Sequence, residues 1–106
     1  SERKEVLQGV VIAASKLPDP EKVFTTLLGN ATAKQDKEIL QSIASSNKAS
    51  PQNLKEVVTQ ASALNDGAPA VFTALLANET AKQDKEILKS IVMSQKATHD
   101  QLKQIP

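Results

Sequence analysis

Hydrophobic side chains recur along this chain at spacings of three and four residues. Leu54, Val57, Val58 and Ala61 fall at i, i+3, i+4 and i+7, the stripe that an amphipathic helix turns towards a core because about 3.6 residues complete one turn. Ile39, Leu40 and Ile43 form a second stripe, and Val23, Phe24, Leu27 and Leu28 a third. No sustained apolar/polar alternation is bounded by hairpin turn signals, so the pattern predicts helices and no strands.

Punctuation between the stripes sets the helix ends. Ser50-Pro51 places a hydroxyl at an N-cap and proline at the first helical position, where its missing N–H costs nothing. Asp19-Pro20 and Ala68-Pro69 open helices in the same way. Thr32 with Gln35, Thr80 with Gln83 and Thr98 with Gln101 have capping-box spacing. Gly29-Asn30 and Ala77-Asn78 read as helix C-termini, with Asn taking the left-handed position. These signals predict helices over about 2–16, 20–29, 32–47, 51–64, 69–77, 80–95 and 98–105.

The pattern also repeats. Residues 23–43 match residues 71–91 at 17 of 21 positions, a shift of 48. Thr32-Ala33-Lys34-Gln35-Asp36-Lys37-Glu38-Ile39-Leu40 returns unchanged as Thr80-Ala81-Lys82-Gln83-Asp84-Lys85-Glu86-Ile87-Leu88. Downstream, Lys48-Ala49-Ser50 and Leu54-Lys55 meet Lys96-Ala97-Thr98 and Leu102-Lys103. Upstream the same shift lays Leu54, Val58 and Ala61 over Val6, Val10 and Ala13. One domain over 1–106 results, with a partial unit at 1–16, a first repeat at 17–64 and a truncated second repeat at 65–106.

A three-helix unit of this size cannot close a core alone, whereas adjacent units can bury each other's apolar stripes. In its tandem multi-helix units and Leu/Ile/Val/Ala cores the chain resembles the α-helical repeat solenoids of the armadillo and HEAT type. The resemblance implies an all-α fold of stacked 48-residue units and an interaction scaffold. The rival architecture is a compact helical bundle of two pseudo-equivalent halves.

Composition narrows the chemistry. With 13 Lys+Arg against 12 Asp+Glu the 106-residue chain is close to neutral, which excludes a strongly basic nucleic-acid clamp. Aromatics are 2% of residues, and Phe24 and Phe72 both sit on apolar stripes, so they are expected in the core. The absence of Cys excludes a disulfide framework and a thiolate site, and fits a reducing, cytoplasmic-type compartment. No apolar run approaches the roughly 18 residues of a membrane span, and Ser1-Glu2-Arg3-Lys4 is not followed by a signal-type segment. A soluble chain without membrane partners is therefore expected.

Catalytic chemistry has little to draw on. His99 is the single histidine and reads as a residue in the first turn of the last helix, with Asp100 on the favourable side of the helix dipole. Asp36, Glu38, Asp84 and Glu86 are flanked by lysines and lack a Glu-x-x-His partner, so no metal site is expected. Asn65-Asp66-Gly67 is turn chemistry, and Gly9, Gly29 and Gly67 build no phosphate loop. The expectation is a non-enzymatic protein with no cofactor.

The remaining candidates lie on the repeated charged segment. On a continuous helix Lys34, Lys37 and Gln41 share a face, as do Lys82, Lys85 and Lys89. Stacked units would align them into a basic ladder for an acidic protein surface or for phosphates. The plainer alternative is a solvated face steadied by Lys34/Glu38 and Lys82/Glu86 pairs. The expected function is a helical-repeat protein–protein interaction module, monomeric and belonging to a larger protein. Nucleic-acid binding through the repeated lysines is the alternative, and a structural or self-associating spacer is a third.

Overall fold

The helices form where the stripes place them, with one systematic exception. The computed structural model describes residues 2–105, and side chains from Lys4 to Ile105. In chain order the elements are α1 (Glu2–Ser15), α2 (Glu21–Leu28), a 3-10 turn (Ala33–Gln35), α3 (Lys37–Ala44), α4 (Pro51–Ser62), α5 (Ala68–Ala77), α6 (Glu79–Lys82), α7 (Lys85–Met93) and α8 (His99–Lys103). Among the described residues there is no strand. The Cα radius of gyration is 12.7 Å, close to the roughly 13 Å of a compact chain of this length.

The exception is the repeated segment, where the two helices expected over 32–47 and 80–95 are each broken in two. Asp36 and Asp84 adopt extended backbone, with φ/ψ of −107°/112° and −103°/112°. Each carboxylate accepts hydrogen bonds from the backbone N–H groups two and three residues on, at Glu38 and Ile39 and at Glu86 and Ile87. An Asp that offers the backbone a cap competes with helix continuation, and here the cap wins twice. Thr32 makes no side-chain cap. Instead Asn30 accepts from the N–H groups of Thr32 and Ala33, and Asn78 from those of Thr80 and Ala81. The two asparagines therefore begin helical turns; neither has the positive φ expected of a C-terminal Asn. Ser50 and Thr98 cap α4 and α8 as the sequence predicts, the second with a complete capping box.

The register of α1 also differs from expectation. Val11 and Ala14 are buried, whereas Val6, Val10 and Ala13 are exposed. A shift of 47, not 48, aligns α1 with α4, setting Leu7, Val10, Val11, Ala14 and Leu17 over Leu54, Val57, Val58, Ala61 and Leu64. Ser15 and Ser62 then coincide, and their hydroxyls donate to Val11 O and Val58 O at the same 2.8 Å. Leu17 and Val23 are separated by one residue fewer than their counterparts Leu64 and Val71, which absorbs the difference.

A single aliphatic core runs through the molecule, with Phe24, Phe72, Ile39, Leu40, Ile43, Leu54, Ile87 and Ile91 fully enclosed. Helix α1 packs on α3 and α4 packs on α7, while α3 also lies along α5. Polar side chains tie the layers at matched places. Asn53 Nδ2 donates to Thr25 Oγ1 at 2.9 Å, and 48 residues later Gln101 Nε2 donates to Thr73 Oγ1 at 2.9 Å. Gln101 is longer by one methylene, so its Oε1 also accepts the Thr98 N–H at 3.0 Å. Asn53 Oδ1 is buried without a partner. Leaving a buried acceptor unpaired costs about 1–3 kcal/mol. Asn53→Gln is expected to stabilise the fold by about 1 kcal/mol in urea unfolding; an unchanged or lower midpoint would refute this account.

Asn78 is the more extensive tie. Its Nδ2 donates to Ala44 O at 2.8 Å and Ser46 O at 3.0 Å, so it joins the end of α3 to the α5–α6 junction while capping α6. Asn30, its counterpart, is exposed and makes only the cap. Asn78→Ala is expected to cost about 2–3 kcal/mol and Asn30→Ala about 1 kcal/mol, because only the first breaks bonds between layers. Equal losses in chemical unfolding would remove the inter-layer role.

Candidate functional site

The broken helices change where the six predicted interaction residues sit. Lys34 lies on the 3-10 turn, half-buried, in a depression it shares with Gln35, Gln60, Asn65 and Asp66. Lys37 is the first residue of α3, beyond the break at Asp36, so Lys34 and Lys37 do not share the face of one continuous helix. Its aliphatic stem covers Gly67, where a Cβ would fall 2.5 Å from Lys37 Cδ. Gly67 also has φ 103°, in the left-handed region that glycine tolerates. Gln41 is half-buried on α3. Lys82 ends α6 and pairs with Glu79 at 2.8 Å, while Lys85 and Lys89 stand exposed on α7.

A recess runs between helices instead, and it occurs twice. Between α1 and α3 it is lined by Gln8, Val11, Ile12 and Ser15 on one wall and by Glu38, Gln41, Ser42 and Ser45 on the other. Between α4 and α7 it is lined by Val58, Thr59, Ser62, Ser90, Met93 and Ser94. Val11, Ile12, Ser15, Ser42 and Ser45 of the first groove are the counterparts of Val58, Thr59, Ser62, Ser90 and Met93 of the second, by shifts of 47 on one wall and 48 on the other. Of the predicted residues, Gln41 enters the first groove, and its counterpart Lys89 is exposed on the helix that walls the second.

Small hydroxyl residues make these grooves. Ser15, Ser42 and Ser45 donate to the carbonyls of Val11, Glu38 and Gln41, and Ser62 and Ser90 to those of Val58 and Glu86. Each hydroxyl is thereby oriented and keeps acceptor capacity for a bound donor. Ile12 and Met93, both strongly exposed, supply apolar contact. Reading the upstream repeat at a shift of 48 hid this pairing; the aliphatic stripe of α1 read at 47 would have placed Ser15 with Ser62.

Ion pairs cross the same helix pairs. Lys4 on α1 reaches Glu38 and Asp36, and Lys55 on α4 reaches Glu86 at 3.1 Å. Glu38 and Glu86 are 48 apart, but Lys4 and Lys55 are 51 apart, so the basic partner has moved by about one helical turn. The Glu38 hydrogen bond, helped by the Asp36 charge, raises the Lys4 pKa above that of an ordinary lysine. A raised lysine pKa means that the pair's stabilisation is complete below the unfolded value and fades as pH climbs through the folded one. Lys4→Gln is therefore expected to lower the urea midpoint at neutral pH, with the difference vanishing in base as pH climbs through the raised Lys4 pKa; a difference that persisted in strong base would show another cause.

Phe24 and Phe72 are fully buried and His99 is exposed at the start of α8. Among the described residues no group of three or more His, Cys, Asp or Glu could hold a metal ion, and no helix is long and apolar enough to cross a membrane. Compared with protein-family models, curated proteins and solved structures, the chain matches none.

Proposed function

We propose that the chain is a non-enzymatic helical-repeat module that binds another protein, its 48-residue, three-helix units stacked as a short solenoid. The observation that carries this reading is the duplicated groove, in which five positions between α1 and α3 recur between α4 and α7. The matched Asn53–Thr25 and Gln101–Thr73 bonds support the stacking. A partner segment lies across both grooves, meeting serine hydroxyls on the floor and Ile12 and Met93 as apolar contacts. Gln41 and Lys89 sit at equivalent positions of α3 and α7 and read its polar groups. Lys34, Lys37, Lys82 and Lys85 contribute the positive flank that suits acidic side chains on that partner.

Affinity capture with the full chain tests this. Proteins held by the wild type are expected to be lost with Ser42→Tyr and Ser90→Tyr, which fill the grooves, weakened several-fold by Lys89→Glu, and retained with Lys22→Glu on exposed α2 surface. Capture indifferent to the groove variants would contradict the reading. Salt-sensitive recovery of RNA or DNA, abolished by Lys82→Glu with Lys85→Glu, would replace it with nucleic-acid binding.

A further inference from the structure

The large aliphatic side chains left in solvent are confined to two regions. Val6, Val10, Ile12 and Leu17 lie on α1 and the turn after it, and Val92, Met93 and Leu102 on α7 and α8; no exposed large hydrophobic is found in between. Ile12 and Met93 belong to the lateral grooves. Three of the other five have buried counterparts along the contact that α3 makes with α4 and α5 inside the molecule. Val57 and Leu64 are buried there, and their counterparts Val10 and Leu17 are 37% and 43% exposed. Ala44 is fully buried there, and its counterpart Val92 is 46% exposed. Asn78 clamps the Ala44 carbonyl at the end of α3 and the Ser46 carbonyl just after it, and its counterpart Asn30 is exposed with only its cap bonds made. One end of the molecule thus carries the receiving half of an interface whose donating half is open at the other end.

We infer that the chain associates head to tail with a second copy of itself, the α7 end of one docking on the α1–α2 end of the next. This rests on the stacked-unit reading. Asn30 of one copy captures the carbonyls at and just after the end of the other's α7, as Asn78 captures those at and just after the end of α3. Valines 6, 10 and 23 receive the Leu88 and Val92 side. Charge supports the same register. The Lys37 stem lies over Gly67 within the chain, and at a shift of 48 the corresponding residues at the junction are Lys85 of one copy and Asp19 of the other, an opposite-charge pair. Because donor and receiver are different surfaces, the contact is heterologous and extends beyond a dimer. Helix α8 limits it. Thr98 caps α8 as Ser50 caps α4, so α8 occupies the place an incoming α1 must take. It is five residues long and held to α5 by Gln101, which donates to Pro69 O and Thr73 Oγ1. Docking displaces it, and the association is therefore weak and reversible.

Sedimentation velocity of the full chain over a concentration series tests the inference. The wild type is expected to associate reversibly, and Val10→Glu and Val92→Glu each to remain monomeric. Their equimolar mixture is expected to give a one-to-one dimer and nothing larger, since each retains one competent end. Gln101→Ala, by loosening α8, should tighten wild-type association about tenfold. Should either valine variant lose its helical circular dichroism, Asp19→Lys and Lys85→Glu serve instead: each alone weakens association and their mixture restores it. A wild type that stays monomeric at every concentration, or a mixture that stays monomeric, overturns the proposal. If Asn78→Ala and Asn30→Ala still differ in stability, that result leaves the stacked-unit reading standing.

Discussion

Helix α3 has apolar residues on more sides than one neighbour can cover, and the rest of the structure follows from that. Ile39, Leu40, Ile43 and Ala44 are all fully buried within an eight-residue helix. A helix this short is not stable in water by itself. It needs α1 on one flank and α5 on the other, and α5 comes from the following copy of the sequence. Burying such side chains is worth about 1.5–3 kcal/mol each, which makes the contact between copies a condition of folding. Asn78 adds direction to an otherwise greasy contact by closing on the last carbonyl of α3 and on that of Ser46 just beyond it.

Much of this was legible in the sequence because helix period and duplication are both patterns. The apolar spacing predicted α2, α4 and α5 closely, and the Ser50-Pro51 and Thr98/Gln101 signals placed the starts of α4 and α8. Both phenylalanines went to the core. What failed was a competition between neighbouring caps. Thr32, Asn30 and Asp36 can all cap a helix, and the stripe continues through them; only the three-dimensional packing makes Asn30 and Asp36 the caps and breaks the helix between. The groove was invisible for a different reason. Its walls come from segments related by shifts of 47 and 48, and a single shift cannot superimpose both.

The two kinds of open surface differ in what they can recognise. The lateral grooves are floored by oriented hydroxyls with few apolar contacts. The exposed aliphatic side chains lie instead on α1 with the turn after it and on α7 and α8. Lysines lie between: Lys37 spends its stem on Gly67 and Lys82 is paired with Glu79, while Lys85 and Lys89 project freely into solvent from α7. A charged residue can thus serve packing through its methylenes and recognition through its ammonium at once.

Native-state amide exchange across α3 and α5 tests the dependence of one copy on the other most directly. Slowly exchanging amides of both helices should open with a single free energy equal to that of global unfolding, because neither keeps its buried face without the other. Exchange of α5 at a clearly lower free energy, with α3 still protected, would mean that the first copy holds its own core and that the contact between copies is incidental.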